Sequence, residues 1–138
     1  MNDIKKSFHI FLAGVLTFMI CSTVAIAAEN FRDVTVKEAS LMIKDTGSVS
    51  PIVILDVRTK REFDSGHLND AINIDINSAP FKEEISKLNK NKTYLVYCRS
   101  GKRSKRAQNI MKELRFHKSL NMLGGFIAWE KAGYPFIK

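Results

Sequence analysis

Short apolar runs separated by helical patterns constrain this chain more than any other feature. Ile52 to Asp56 and Thr93 to Tyr97 read as strands buried on both faces, because their apolar residues are nearly continuous rather than alternating. Phe31 to Val34, Ala71 to Ile74 and Ser119 to Leu123 read as further short strands. Between them, Thr35-Val36-Lys37-Glu38 has the form of a capping box that opens a helix through Lys44, and Gly47 to Pro51 reads as a turn. Thr59 caps a short helix through Asp64, ended by Ser65-Gly66, and Pro80 suits the start of a helix through Leu88. From Ser104 to Arg115, Ala107, Ile110, Met111 and Leu114 fall at helical spacing. Gly124-Gly125 forms a turn before a last short helix, Phe126 to Lys131. This alternation predicts a three-layer α/β fold: a mainly parallel sheet of about five short strands with helices on both faces. In such a sheet the ligand sits outside the carboxyl ends of the strands.

Cys98 stands at one of those ends. It opens the segment Cys98-Arg99-Ser100-Gly101-Lys102-Arg103-Ser104, directly after the apolar run Tyr94-Leu95-Val96-Tyr97. A short loop with one glycine, running into a helix, can turn its backbone N–H groups inward and add the partial positive charge of the helix start. Both effects favour thiolate over thiol, and the thiolate is the nucleophile. A buried cysteine more often serves as a small hydrophobe. Here Arg99, Lys102, Arg103, Lys105 and Arg106 crowd the segment with no carboxylate among them, which argues for a reactive sulfur facing an anionic ligand.

The loop resembles that of the rhodanese domains, the thiosulfate sulfurtransferases. Their active-site loop runs six residues from a cysteine and closes on a basic or hydroxyl residue before a helix. Cys98 to Arg103 fits, and Ser104 matches the residue that commonly follows. Ile52 to Thr59, with Glu62-Phe63, Gly66-His67-Leu68 and Ala71 to Ile74, is similar to the family's N-terminal signature. Leu123 to Trp129, followed by Ala132 to Pro135, is similar to its C-terminal one. Lys60, Asp70 and Asp75 depart from the pattern, standing where proline, glycine and proline are common.

The resemblance implies a rhodanese fold and a double displacement without metal or cofactor. Cys98 would be the catalytic residue, taking the outer sulfur of thiosulfate as a persulfide and passing it to a thiophilic acceptor such as cyanide. Arg99, Ser100, Gly101, Lys102, Arg103 and Ser104 would bind the anionic donor and stabilise the charge on departing sulfite. Asp56 and Arg58 would help to fix the loop and its surroundings. His67 reads as structural, since an acidic thiol needs no general base, and Trp129 as a core residue.

Residues 1–27 have the form of a secretory signal peptide. Lys5 and Lys6 give a basic start, an uncharged and mostly apolar run follows, and Ala25-Ile26-Ala27 supplies small residues where a signal peptidase reads. The expected domains are therefore this leader and a rhodanese domain at residues 28–138, exported to a bacterial periplasm. An uncleaved membrane anchor is the alternative; a lipoprotein at Cys21 is disfavoured by the bulky Ile20 before it. After cleavage Cys98 is the one cysteine left, and an unpaired thiol in an oxidising compartment calls for a function.

The formal net charge of +8 admits nucleic acid, anionic lipid or small anions as partners. Nucleic acid does not suit an exported chain, and no aromatic residue follows Tyr97 within the basic cluster to stack a base. Lys82, Lys87, Lys90 and Lys92 read as a solvated face. The partners expected are a small anionic sulfur donor and a thiophilic acceptor, with a membrane only if the leader is retained. Two rival functions share the cysteine loop. A cysteine phosphatase or arsenate reductase requires an arginine six positions after the cysteine, where this chain has Ser104. An exported persulfide carrier or redox sensor shares every motif and differs only in turnover.

Overall fold

The computed structural model describes residues 30–45 and 51–138. The leader and most of the Gly47–Pro51 turn lie outside the described residues. Five strands form one sheet: β1 (Phe31–Val34), β2 (Val53–Asp56), β3 (Ile72–Asn73), β4 (Thr93–Tyr97) and β5 (Lys118–Met122). Their order is β1-β5-β4-β2-β3, and every pairing is parallel. Among the described residues four helices connect them, α1 (Val36–Lys44), α2 (Lys60–Asp64), α3 (Phe81–Ser86) and α4 (Lys102–Glu113), and a fifth, α5 (Gly125–Lys131), follows β5. The three-layer α/β architecture is the one expected from the alternation of patterns.

Local chemistry explains most boundaries. Thr35 and Thr59 each accept from the N–H three residues on, while Glu38 and Glu62 bond back to the threonine N–H, so both capping boxes form. The Ala71–Ile74 strand shrinks to Ile72–Asn73, which pairs on one side only, with β2. Just before it, Asp70 takes φ +58 at the position where the family commonly has glycine. The helix expected through Leu88 ends at Ser86, and α4 begins at Lys102 rather than Ser104. The earlier start matters, because it makes Gly101 the cap and draws the loop into the first turn of the helix.

The pleat divides the core in two. Successive side chains of β4 alternate between faces, so Tyr94, Val96 and Cys98 join one cluster while Leu95 and Tyr97 join the other. The first cluster includes Leu55, Phe81, Ile85, Ala107 and Met111, and lies under α3 and α4. The second includes Ala39, Ile54, Leu120 and Trp129, and lies under α1 and α5. One consequence reaches the site: Cys98 turns toward α4, whereas the neighbouring Tyr97 turns toward α5.

Candidate active site

Cys98 follows β4, a central strand, at the carboxyl edge of the sheet. It is 1% exposed. Its Sγ accepts from the Gly101 N–H at 3.1 Å and from the Ser104 hydroxyl at 3.4 Å. Gly101 has φ +96, a left-handed conformation that folds the loop back onto its own first residue and that side chains disfavour. Burial of Cys98 pushes its thiol pKa up. The Ser104 hydroxyl and the backbone N–H groups of Ser104, Ser100 and Gly101 outweigh that burial and leave it lowered. These donors belong to the loop and to the first turn of a twelve-residue helix whose dipole favours negative charge at the same end.

Cys98 is therefore expected to alkylate with a midpoint below that of an ordinary cysteine. Iodoacetamide rates recorded against pH are expected to climb through a midpoint clearly under about 8.5 and to level off above it. A midpoint at or above that value would mean that burial, not the donor set, governs the sulfur.

The loop side chains divide into distinct groups. Arg99, Ser100 and Lys102 are exposed around the mouth, free to meet an anion. Ser104, expected to touch the donor, is wholly buried, and its hydroxyl lies against the sulfur. Arg103, expected to face the anion, instead makes a two-pronged pair with Glu62 at 2.8 and 2.7 Å. The Arg103 guanidinium, aided by the Thr59 N–H and hydroxyl, holds the Glu62 carboxyl down at about 2 despite partial burial. The pair therefore remains ionised across the neutral pH range. Glu62 thus caps α2 and ties the last loop residue to it. Its place in the N-terminal signature was visible, but its partner 41 positions away was not.

Asp56 and Arg58 sit on the opposite face, beside Tyr97. Their carboxylate and guanidinium are joined at 2.7 and 3.0 Å, with side chains 0% and 4% exposed. The Arg58 backbone N–H also donates to Asp56, and the guanidinium donates to the Gly66 carbonyl at 2.6 Å. Removing one member would leave a buried unpaired charge, which costs about 3–5 kcal/mol. Burial pushes the Tyr97 phenol far above its usual range, so it stays neutral, bonded to Asp56 and accepting from the Leu68 N–H. The Arg58 guanidinium lies 4.3 Å from the centre of the Phe126 ring. The Phe126 N–H in turn donates to the Cys98 carbonyl at 2.8 Å, and the Ile127 N–H to that of Arg99 at 3.1 Å. A continuous set of contacts therefore joins the buried ion pair to the reactive loop through α5.

Gly125 makes that contact possible. A Cβ there would stand 2.4 Å from the Cys98 carbonyl oxygen and 2.7 Å from the Arg99 carbonyl. The sequence showed a glycine pair at a turn; that the second is pressed against the loop is a tertiary fact. His67 stacks on Phe63 at 3.8 Å, bonds the Phe63 carbonyl through Nδ1 and pairs through its backbone with Ile137. These contacts give it a structural place. Trp129 is buried and donates to the Pro135 carbonyl.

The fold and loop can be set against known proteins. The family model of the rhodanese-like domain matches residues 35–132. The chain belongs to the rhodanese-like family. This rhodanese-like chain is 31% identical over 86 residues to a sulfurtransferase of Allochromatium vinosum, a match covering 62% of this chain and 78% of that protein. It is 33% identical over 84 residues to the thiosulfate sulfurtransferase GlpE of Coxiella burnetii, covering 61% and 76%. A rhodanese-related protein from Thermoplasma volcanium superposes with a TM-score of 0.67 at 28% identity, covering 78% of this chain and 98% of that one. Sulfurtransferase membership follows, and with it a sulfur donor and acceptor as the class of substrates.

Proposed function

We propose that this rhodanese-like domain is a thiosulfate sulfurtransferase working through a persulfide on Cys98. The observation that carries the reading is a recessed sulfur ringed by the Gly101, Ser100 and Ser104 N–H groups and the Ser104 hydroxyl. The Cys98 thiolate attacks the outer sulfur of thiosulfate. A new S–S bond forms, the old one breaks, and sulfite leaves with the electron pair. The loop donors then hold the anionic persulfide. Cyanide attacks the outer sulfur, departs as thiocyanate, and returns the electron pair to Cys98 as thiolate. Arg99 and Lys102 at the mouth attract the dianionic donor and stabilise the departing sulfite.

The phosphatase reading is disfavoured by the same residues. Ser104 occupies the place of the phosphatase arginine and is buried against the thiol, while Arg103 is held by Glu62. Thiosulfate treatment is expected to add the mass of one sulfur atom to Cys98, with cyanide removing it and releasing thiocyanate. No gain in mass would refute the reading. A gain without repeated turnover would favour the persulfide carrier.

Export is part of the proposal, resting on the basic start, apolar run and Ala25-Ile26-Ala27 of the leader. N-terminal sequencing of the periplasmic fraction is expected to begin at Ala28. An intact Met1 in the membrane fraction would establish the anchor instead.

A further inference from the structure

The face of the sheet away from Cys98 holds a second concavity. Cys98 packs in the cluster under α3 and α4, whereas Ile54, Leu68 and Trp129 belong to the cluster under α1 and α5. Those three side chains, with Pro135 and the inner side of α1, line a cavity of about 100 Å³ that is partly open to solvent. No residue of the Cys98 loop lines it, and its wall is almost wholly apolar.

Two polar groups of α1 interrupt that wall. Ser40 is 4% exposed, and its hydroxyl has no hydrogen-bond partner among the described residues. Lys44 stands one turn further along the same side of the helix, exposed and without an ion pair among the described residues. Both groups donate. Asn69, also at the cavity, gives its amide to the Asp70 carboxylate at 2.6 Å, and no acidic side chain among the described residues lines the space. A buried hydroxyl left unpaired is costly to a fold, so one on a cavity wall marks a place for an acceptor atom. Water suits the place poorly, since a buried water makes about three hydrogen bonds and this wall is apolar around Ser40. A dry cavity of about 150 Å³ takes up benzene, so this smaller and open one fits a chain of a few carbons.

We infer that the cavity binds a short-chain aliphatic carboxylate, its chain against Ile54, Leu68 and Trp129 and its carboxylate accepting from Ser40 and paired with Lys44. The apolar wall supplies affinity in proportion to the chain it buries. The two donors select the anion over a neutral head.

Trp129 is the one tryptophan of the chain, so its fluorescence reports on the cavity directly. The test titrates the whole protein with butyrate, pentanoate, hexanoate and octanoate, and with the alcohols of matched length. Pentanoate is expected to give a saturable change with a dissociation constant on the order of 1 mM. Affinity is expected to rise about threefold per methylene as far as hexanoate and to level off at octanoate, whose last carbons lie outside. Each acid is expected to bind about tenfold more tightly than its alcohol. Ser40→Ala and Lys44→Gln are each expected to shrink that preference while the thermal midpoint shows the fold intact. The absence of any saturable change with the acids overturns the inference. So does equal binding of acids and alcohols, a rise that continues unbroken through octanoate, or a preference for acids unmoved by both substitutions. Should a variant lose its fold, the chain-length and acid–alcohol contrasts in the parent protein decide the matter. The measurement involves no sulfur transfer, so the thiosulfate reading stands or falls separately.

Discussion

Cys98→Ser is expected to lower sulfur transfer from thiosulfate by about 10³-fold or more while leaving the fold in place. A serine hydroxyl is nearly isosteric with the thiol but a far weaker nucleophile at neutral pH. The site receives the new oxygen well, since the Gly101 N–H and the Ser104 hydroxyl that serve Sγ can donate to Oγ. Because no buried polar group is orphaned, unfolding free energy is expected to stay within about 1 kcal/mol of the parent. Thiocyanate formation and the thermal midpoint, measured on the same preparation, separate chemistry from stability. Loss of activity with an unchanged midpoint assigns the nucleophile. Substantial thiocyanate formation by the variant would remove Cys98 from that role, and a collapsed midpoint would make it a packing residue.

What the sequence disclosed about this molecule was set by neighbours in the chain. Thr35 with Glu38 and Thr59 with Glu62 announce helices because each capping box closes within three residues. β2 and β4 are legible because a buried parallel strand must be apolar on both faces, and Ile54-Leu55 and Tyr94 to Tyr97 satisfy that without reference to anything distant. The Cys98 loop is legible for the same reason: its donors are its own backbone. What stayed hidden depends on contacts across the fold. Arg103 reads as a cation facing substrate until α2 brings Glu62 against it. Ser104 reads as a ligand for the donor until the early start of α4 turns it under the sulfur. β3 shortens because strand length there depends on pairing with β2 alone, which no local pattern encodes. The role of Gly125 emerges only when α5 folds onto the loop, and the supporting role that the resemblance implied for Arg58 gains its contact, the Phe126 ring, in the same way.

Gly125→Ala is expected to damage catalysis heavily, although it adds a single methyl group remote from Cys98 in sequence. The new Cβ would lie 2.4 Å from the Cys98 carbonyl oxygen and 2.7 Å from the carbonyl carbon and oxygen of Arg99. All three are backbone atoms and have no rotamer to give. The residue would also have to hold φ +57, at a cost of about 1–2 kcal/mol for a side-chain-bearing residue. Relief requires α5 and the loop to part, which weakens the Phe126 and Ile127 N–H bonds to the Cys98 and Arg99 carbonyls. Overpacking of this kind destabilises by about 1–3 kcal/mol. Its effect on catalysis is larger, because those two bonds fix the loop whose N–H groups must converge on the sulfur. A misplacement near 1 Å costs about 10²-fold, so thiosulfate turnover should fall by at least that factor. The alkylation midpoint of Cys98 should move up in the same variant as the donors lose their aim, a change that simple destabilisation of a still-folded protein would not produce. Turnover within about threefold of the parent, with an unmoved midpoint, would mean that α5 merely covers the loop and does not position it.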